Sequence, residues 1–372
     1  MDIKTDGDDA NGYRVSLRAA NKNQDFYIVK EDGKYKLLDT SEKPNAVGLE
    51  ILDRVSAGNT AGARILLDWV RSDQHMAGGD DALAGYAFPR MWAKGKEGDA
   101  RQMKLAAAAL LCETQPTAEE GTRVLEATKA DIKDDAEKLN VQLALLDGYG
   151  IIGKYDKTEE ITTELAKGHP DSRRVFLARV YALRVLGKGA DADKLAKNWQ
   201  ATQPDDLTAA RTLLYNAAYR EDYPLAYELA KKVLNSSQAD ASDYNNAAWY
   251  GLFTGKTGDL DEASGSKSLQ MVQNSAGVLH TIGCVYAAEG KTKDAREVLL
   301  QTMEILNLEE PDSNYWYGFG RIAEQYGETA SALEDYGKVT KPPKVEWISG
   351  SSYRLAQQRM AAMQKDNASK AN

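Results

Sequence analysis

Helix-breaking residues recur along this chain at a nearly constant interval. Gly153, Gly187, Glu221, Gly258, Gly290 and Gly327 are separated by 34, 34, 37, 32 and 37 residues. Five positions after each stands a small residue: Thr158, Ala192, Ala226, Ala263, Ala295 and Ala332. Gly58 and Gly95 fit the same phase and are followed by Ala63 and Ala100, while Gly251, Gly283 and Gly320 stand seven before the last three breaks. A period of this length confines the chain to stacked helix pairs, because one pair cannot bury its apolar face without neighbours. The segments between the breaks agree. "NVQLALLDGYGIIG", "ARTLLYNAAYR" and "AREVLLQTMEIL" place apolar residues three and four apart, the spacing of one helix face. Nine prolines in 372 residues leave the helices largely uninterrupted.

The unit resembles the tetratricopeptide repeat, a helix–turn–helix with small residues at the crossing, a glycine at the inner turn and a closing proline. "VLHTIGCVYAAEGKTKDAREVLLQTMEI" carries the likeness best, with Leu279, Ile282, Gly283, Tyr286, Gly290, Ala295 and Leu299 in the family's large, large, small, aromatic, glycine, alanine and large positions. The next unit has Trp316, Phe319, Gly320, Gly327, Ala332 and Tyr336, with Ala323 in the aromatic position. Tyr149, Gly153 and Pro170 mark another unit, and Gly187, Ala192 and Pro204 a further one. The units near 221 and 258 lack the closing proline. The resemblance covers 135–345, with degenerate pieces over 45–134, and implies an all-α α-solenoid of helix–turn–helix repeats. The stretch 115–135 does not fit the register and reads as an extra or unpaired helix. Residues 346–372 read as a C-terminal capping helix and tail, opened by serines suited to capping.

The N-terminus is different. Residues 1–12 are polar and read as a disordered tail. Residues 13–44 read as a small β hairpin element, because "YRVSL" and "DFYIV" are β-rich and Asp32-Gly33 tolerates the positive φ of a tight turn. So few strands must pack on the following helices or be the remnant of an upstream domain.

Charge and composition exclude several functions. A net charge of −9 argues against a nucleic-acid partner, which needs a basic face to release counterions, and against anionic lipid. No apolar run is long enough for membrane insertion, no export signal opens the chain, and the sequence reads as a soluble protein or a soluble fragment of an exported one. Cys112 and Cys284 build no disulfide framework and read as small core residues.

Three fragments suggest chemistry and fail on spacing. A phosphate loop needs glycine five residues before its Gly-Lys-Thr, but Tyr250 and Val285 stand there. The Ser-x-x-Lys at 264–267 follows the Lys-Thr-Gly at 256–258 instead of preceding it. His75 lies near Asp73, Asp80 and Asp81, yet the loop has no second histidine and reads as a solvated connector. His169 precedes Pro170 in a turn and reads as exposed. No catalytic residue, metal or cofactor is expected.

In the family the first helix of each pair lines a concave groove. By phase, Arg174, Tyr181, Arg184, Arg211, Tyr215, Asn245, His280, Asn314, Tyr317 and Arg321 would face it. Arg and Tyr are residues that dominate interface energetics. The family's carboxylate-clamping ligand is not implied, because the basic residues here are arginines at other spacings. The resemblance implies a non-enzymatic scaffold holding a peptide or protein partner in that groove. Two alternatives come from the β segment and from the repeat ends: the substrate-recruiting part of a larger enzyme, and a self-associating structural module. Replacing Arg184, Arg211 and Tyr215 together is expected to abolish partner binding with the melting temperature nearly unchanged.

Overall fold

The computed structural model describes residues 2–19, 22–42, 44–73, 83, 85–92, 99–255, 257–344 and 347–371. Two compact units divide the chain, Met1–Leu186 and Gly187–Asn372.

The first unit opens with an antiparallel sheet in sequence order: β1 (Asp2–Asp8), β2 (Gly12–Ala19), β3 (Lys22–Glu31) and β4 (Lys34–Thr40). Asp32 and Gly33 have φ of 50° and 76°, the two left-handed positions of a tight hairpin turn. Residues 2–8 are a strand and not a tail. Their one large apolar side chain, Ile3, is exposed, so β1 carries no apolar alternation and is held by its ladder with β2. On β3, Asp25, Tyr27 and Val29 alternate inward, and Tyr27 joins Val47 and Ile51 in the helical core. The buried Arg54 donates to the Asn11 carbonyl (2.9 Å) and the Gly62 carbonyl (3.1 Å). The sheet is therefore built into the helical unit.

Its helices are α1 (Asn45–Ser56), α2 (Thr60–Asp73), α3 (Phe88–Met91), α4 (Ala100–Leu111), α5 (Ala118–Thr128), α6 (Asp135–Ile152), α7 (Tyr155–Gly168) and α8 (Arg173–Val185). The expected unpaired helix is α5, which packs on both α4 and α6. The connection before it has no residue of positive φ, so it lacked the glycine that marks the other turns. His75, Asp80, Asp81 and Gly95 lie outside the described residues.

The second unit holds α9 (Gly189–Thr202), α10 (Thr208–Tyr219), α11 (Tyr223–Val233), α12 (Ala241–Phe253), α13 (Asp259–Met271), α14 (Ala276–Ala288), α15 (Thr292–Ile305), α16 (Tyr315–Gln325), α17 (Thr329–Gly337) and α18 (Ser352–Ala371). Here α10–α11, α12–α13, α14–α15 and α16–α17 are packed hairpins. Gly153, Gly187, Glu221, Gly255, Gly290 and Gly327 all have positive φ, the conformation that ends a helix and frees the chain to turn. The fourth is Gly255 and not Gly258, which makes the spacings 34, 34, 34, 35 and 37. Gly258 is extended and caps the N-terminus of α13.

That correction has a packing consequence. The other second helices begin two residues after the left-handed one, whereas α13 begins four after Gly255. The added residues rotate α13. Ala263, expected at the crossing, is exposed, and Asp261, Ser264 and Ser268 face inward instead. Asp261 sits under Gly251, where an added Cβ would lie 2.5 Å from the carboxyl carbon. At the regular crossings Thr158, Ala192, Ala226, Ala295 and Ala332 are buried as expected. Gly283 and Gly320 admit Leu299 and Tyr336 to within 2.7 Å of where a Cβ would stand, so larger residues would overpack them.

The C-terminal helix does more than cover the last pair. α18 packs on α16 and α17, while the segment leading into it reaches back along the unit. Ser349 donates to the Tyr219 carbonyl (3.0 Å), the Gly350 N–H to the Tyr223 hydroxyl (3.3 Å), and the Trp249 indole to the Gly350 carbonyl (2.8 Å). Arg354 pairs with Glu221. Leu355, Ala356 and Met363 share one apolar core with Tyr250, Phe253, Cys284 and Tyr317 of the first helices.

Candidate interaction surfaces on the first helices

In the first unit, Arg174 and Tyr181 of α8 border a recess of about 310 Å³ against α6 and α7. Arg174 donates to the Leu83 carbonyl (2.7 Å) and the Gly85 carbonyl (2.6 Å) and pairs with Asp147. It therefore positions the loop beside the recess. Burial pushes the Asp147 carboxyl above its usual range, against the opposing pull of Arg174. Tyr181 is exposed and meets Tyr155 edge-on, ring centres 5.6 Å apart. Arg184 is half-buried further along α8.

In the second unit, Arg211 of α10 grips the start of α12. Its Nε and Nη2 donate to Asp243 (2.8 and 2.6 Å), and Nη2 also reaches Asp240 (2.8 Å). Asp240 and Asp243 form the capping box of α12. Removing Arg211 would leave the buried Asp243 carboxylate without its cation, so Arg211→Ala is expected to cost about 2 kcal/mol, discounted for partial exposure of the arginine. A chemical unfolding midpoint checks this. The unchanged melting temperature expected for the Arg184, Arg211 and Tyr215 replacement does not survive this geometry. Tyr215 is exposed and accepts from Asn246 (3.0 Å).

Tyr317 and Arg321, expected on the groove, are buried. Tyr317 lies in the core beside Tyr336, ring centres 6.1 Å apart, and Arg321 donates to Glu324 (2.6 Å). The cause is α18, whose apolar residues share the core that holds Tyr317.

Asn245, His280 and Asn314 do come together. They line a recess of about 500 Å³ over α12, α14 and the start of α16, bordered by Gly350 and Ser351. His280 Nε2 is 3.2 Å from the Asn314 carbonyl, which can only accept, so that nitrogen carries the proton. The His280 ring centre is 5.6 Å from Trp249 and 4.9 Å from Tyr315. Burial lowers the His280 pKa, outweighing the carbonyl bond and Asp312, which raise it. The imidazole is thus neutral near pH 7. Trp249, Asp312 and Tyr315 were not expected here. Their signal was adjacency: Trp249 is one helical turn past Asn245, and the other two flank Asn314 closely.

Cys112 and Cys284 are free and buried. Among the described residues, no group of three His, Cys, Asp or Glu is arranged to hold a metal, and no helix is long and apolar enough to cross a membrane.

The helix pairs and their left-handed turns define an α-solenoid of tetratricopeptide-like units with a small N-terminal sheet. No family model and no curated protein matches the sequence. Among solved structures, the chain is similar to a tetratricopeptide repeat protein from Parabacteroides merdae, at 15% identity and TM-score 0.48, over 65% of this chain and 93% of that one. It is also similar to the APC/C hetero-tetramer Cut9–Hcn1, at 14% identity and TM-score 0.42, over 77% of this chain and 54% of that one. A third is the human IFIT1 dimer with PPP-AAAA, at 13% identity and TM-score 0.40, over 81% and 69%.

Proposed function

We propose that this protein is a non-enzymatic interaction scaffold that holds a peptide or a partner's segment against its first helices. One observation carries the reading: each unit has an open recess bordered by first-helix residues and walled by aromatic side chains, Tyr181 of α8 with Tyr155 of the second helix α7 in one and Trp249, His280 and Tyr315 in the other. Such rings offer large contact area with few rotatable bonds to freeze. Tyr181, Tyr215, Asn245, His280 and Asn314 are the contact candidates, and Arg174 and Arg211 hold local geometry. Arg184, half-buried further along α8, is a further contact candidate.

Photo-crosslinking in cells tests this. A benzophenone amino acid at Tyr181 or Tyr215 should capture a defined partner, and the same group at Leu300, exposed on the second helix α15, should not. Capture from Leu300 alone would place the partner on the opposite helices and sink the reading. Crosslinks between two copies of the chain would favour self-association.

A further inference from the structure

The recess in the second unit has a chemistry of its own. One charged side chain lines it, Asp312, and among the described residues no lysine or arginine does. Asp312 Oδ1 accepts from the backbone N–H of Asn314 (2.8 Å) and Tyr315 (3.4 Å), which leaves Oδ2 to a ligand. Asn245 also lines the recess, and its Oδ1 is buried without a hydrogen-bond partner. A buried acceptor in that state is costly until a donor reaches it. The walls are the rings of Trp249, His280 and Tyr315, and the imidazole brings no positive charge. The loop carrying Asp312 also carries Glu309 and Glu310, both exposed.

We infer that this recess is the pocket for an arginine side chain of the partner, a refinement that rests on the scaffold reading above. The guanidinium stacks on the Trp249 ring and donates to the Asp312 carboxylate and, as the Asn245 amide turns its covered oxygen outward, to that oxygen as well. A guanidinium has five donors and no acceptor in a planar fork, so it satisfies two separate acceptors while giving its face to an aromatic ring. An acidic or phosphorylated ligand would meet a carboxylate and an orphan acceptor with no cation to receive it. An apolar side chain would leave the Asn245 oxygen unpaired and desolvate Asp312. A lysine gives charge but neither the plane nor the fork.

The test follows the Trp249 indole N–H resonance during titration with three glycine-rich peptides that differ at one position: arginine, lysine or citrulline. Citrulline keeps the shape and removes the charge. The arginine peptide should shift the resonance saturably, with the citrulline peptide at least tenfold weaker and the lysine peptide between them. Asp312→Asn should weaken the arginine peptide at least tenfold at an unchanged melting temperature, because the amide oxygen of asparagine can still accept from the Asn314 and Tyr315 N–H groups. Equal binding of citrulline, an unchanged affinity in D312N, or no saturable shift would each overturn the pocket assignment. The crosslinking experiment separates the two readings. A partner captured at Tyr215 together with a silent arginine titration removes the arginine pocket alone, while failed capture removes the scaffold reading whatever the titration shows.

Discussion

Gly121→Val is expected to lower the unfolding midpoint of the first unit sharply or to prevent its folding. A Cβ at Gly121 would lie 2.7 Å from the Ala108 carbonyl oxygen, 2.8 Å from the Cys112 nitrogen and 2.8 Å from its sulfur. Two of these are backbone atoms of α4 and its cap, which cannot swing aside as a side-chain tip can. Nor can α4 retreat, since Leu105 through Leu111 are all buried. From the other side Gly148 of α6 makes the same close approach, with a Cβ position 2.4 Å from Thr122 and 3.0 Å from the Cys112 sulfur. Cys112 is therefore the small residue at which three helices converge. Overpacking a tight site costs about 1–3 kcal/mol and more where backbone must move, so a loss of about 3 kcal/mol is expected from two extra methyl groups and a Cβ. Thermal and urea unfolding by circular dichroism measures it. Gly150→Ala is the control, because a Cβ there meets nothing within 4 Å. It should be neutral or stabilising by about 0.5 kcal/mol through helix propensity. An unaltered midpoint in G121V would mean that α4 and α5 do not approach this closely.

The glycine and alanine spacing made the repeat legible because both residues answer to hard steric limits, one at a left-handed turn and one at a helix crossing. Where two glycines competed, in "GLFTGKTG", sequence could not tell which took the positive φ. The choice of Gly258 over Gly255 misplaced the break by three residues and turned the expected inward face of α13 onto Ala263 in place of Asp261 and Ser264. α5 looked unpaired because its turn dispenses with glycine, and β1 looked like a tail because its side chains are nearly all polar. The recess residues show the same division. Asn245, His280 and Asn314 follow from helical phase alone, and they share one recess. Tyr317 and Arg321 follow the same phase and are buried, because a helix some thirty residues downstream lies over them. Nothing in the local pattern announces a contact of that kind. Arg211 shows the limit for charge: its phase is visible, but its bidentate hold on Asp243 depends on how α10 and α12 meet.

The contact that fastens α18 leads to the second large effect. Glu324 Oε2 accepts from Arg321 (2.6 Å), from the Tyr336 hydroxyl (2.6 Å) and from Arg359 Nε (3.2 Å), and Oε1 pairs with Arg359 as well. Burial works to raise the carboxyl pKa, but the bonds from Arg359 and Tyr336 and the charge of Arg321 prevail and hold it at about 2. A depressed carboxylate stabilises the fold fully above its ordinary value of 4.5, and the contribution fades as pH falls toward 2. From the ordinary 4.5 to about 2 the linkage is worth about 2–3 kcal/mol, allowing for the partial exposure of Arg359. Glu324→Ala should cost about 3 kcal/mol or more at pH 7, since it strands Arg321, Arg359 and a buried tyrosine hydroxyl together. Hydrogen exchange along α18 should accelerate in that variant, because Arg359 is the ion pair that ties the helix to α16. Glu324→Gln keeps an acceptor and removes the charge. Its destabilisation relative to the unmodified protein should be largest at pH 7 and shrink by pH 3, where the native carboxylate is losing its own advantage. A penalty for E324Q that is the same at both pH values would show that the charge contributes nothing and that α18 is held by its apolar face alone.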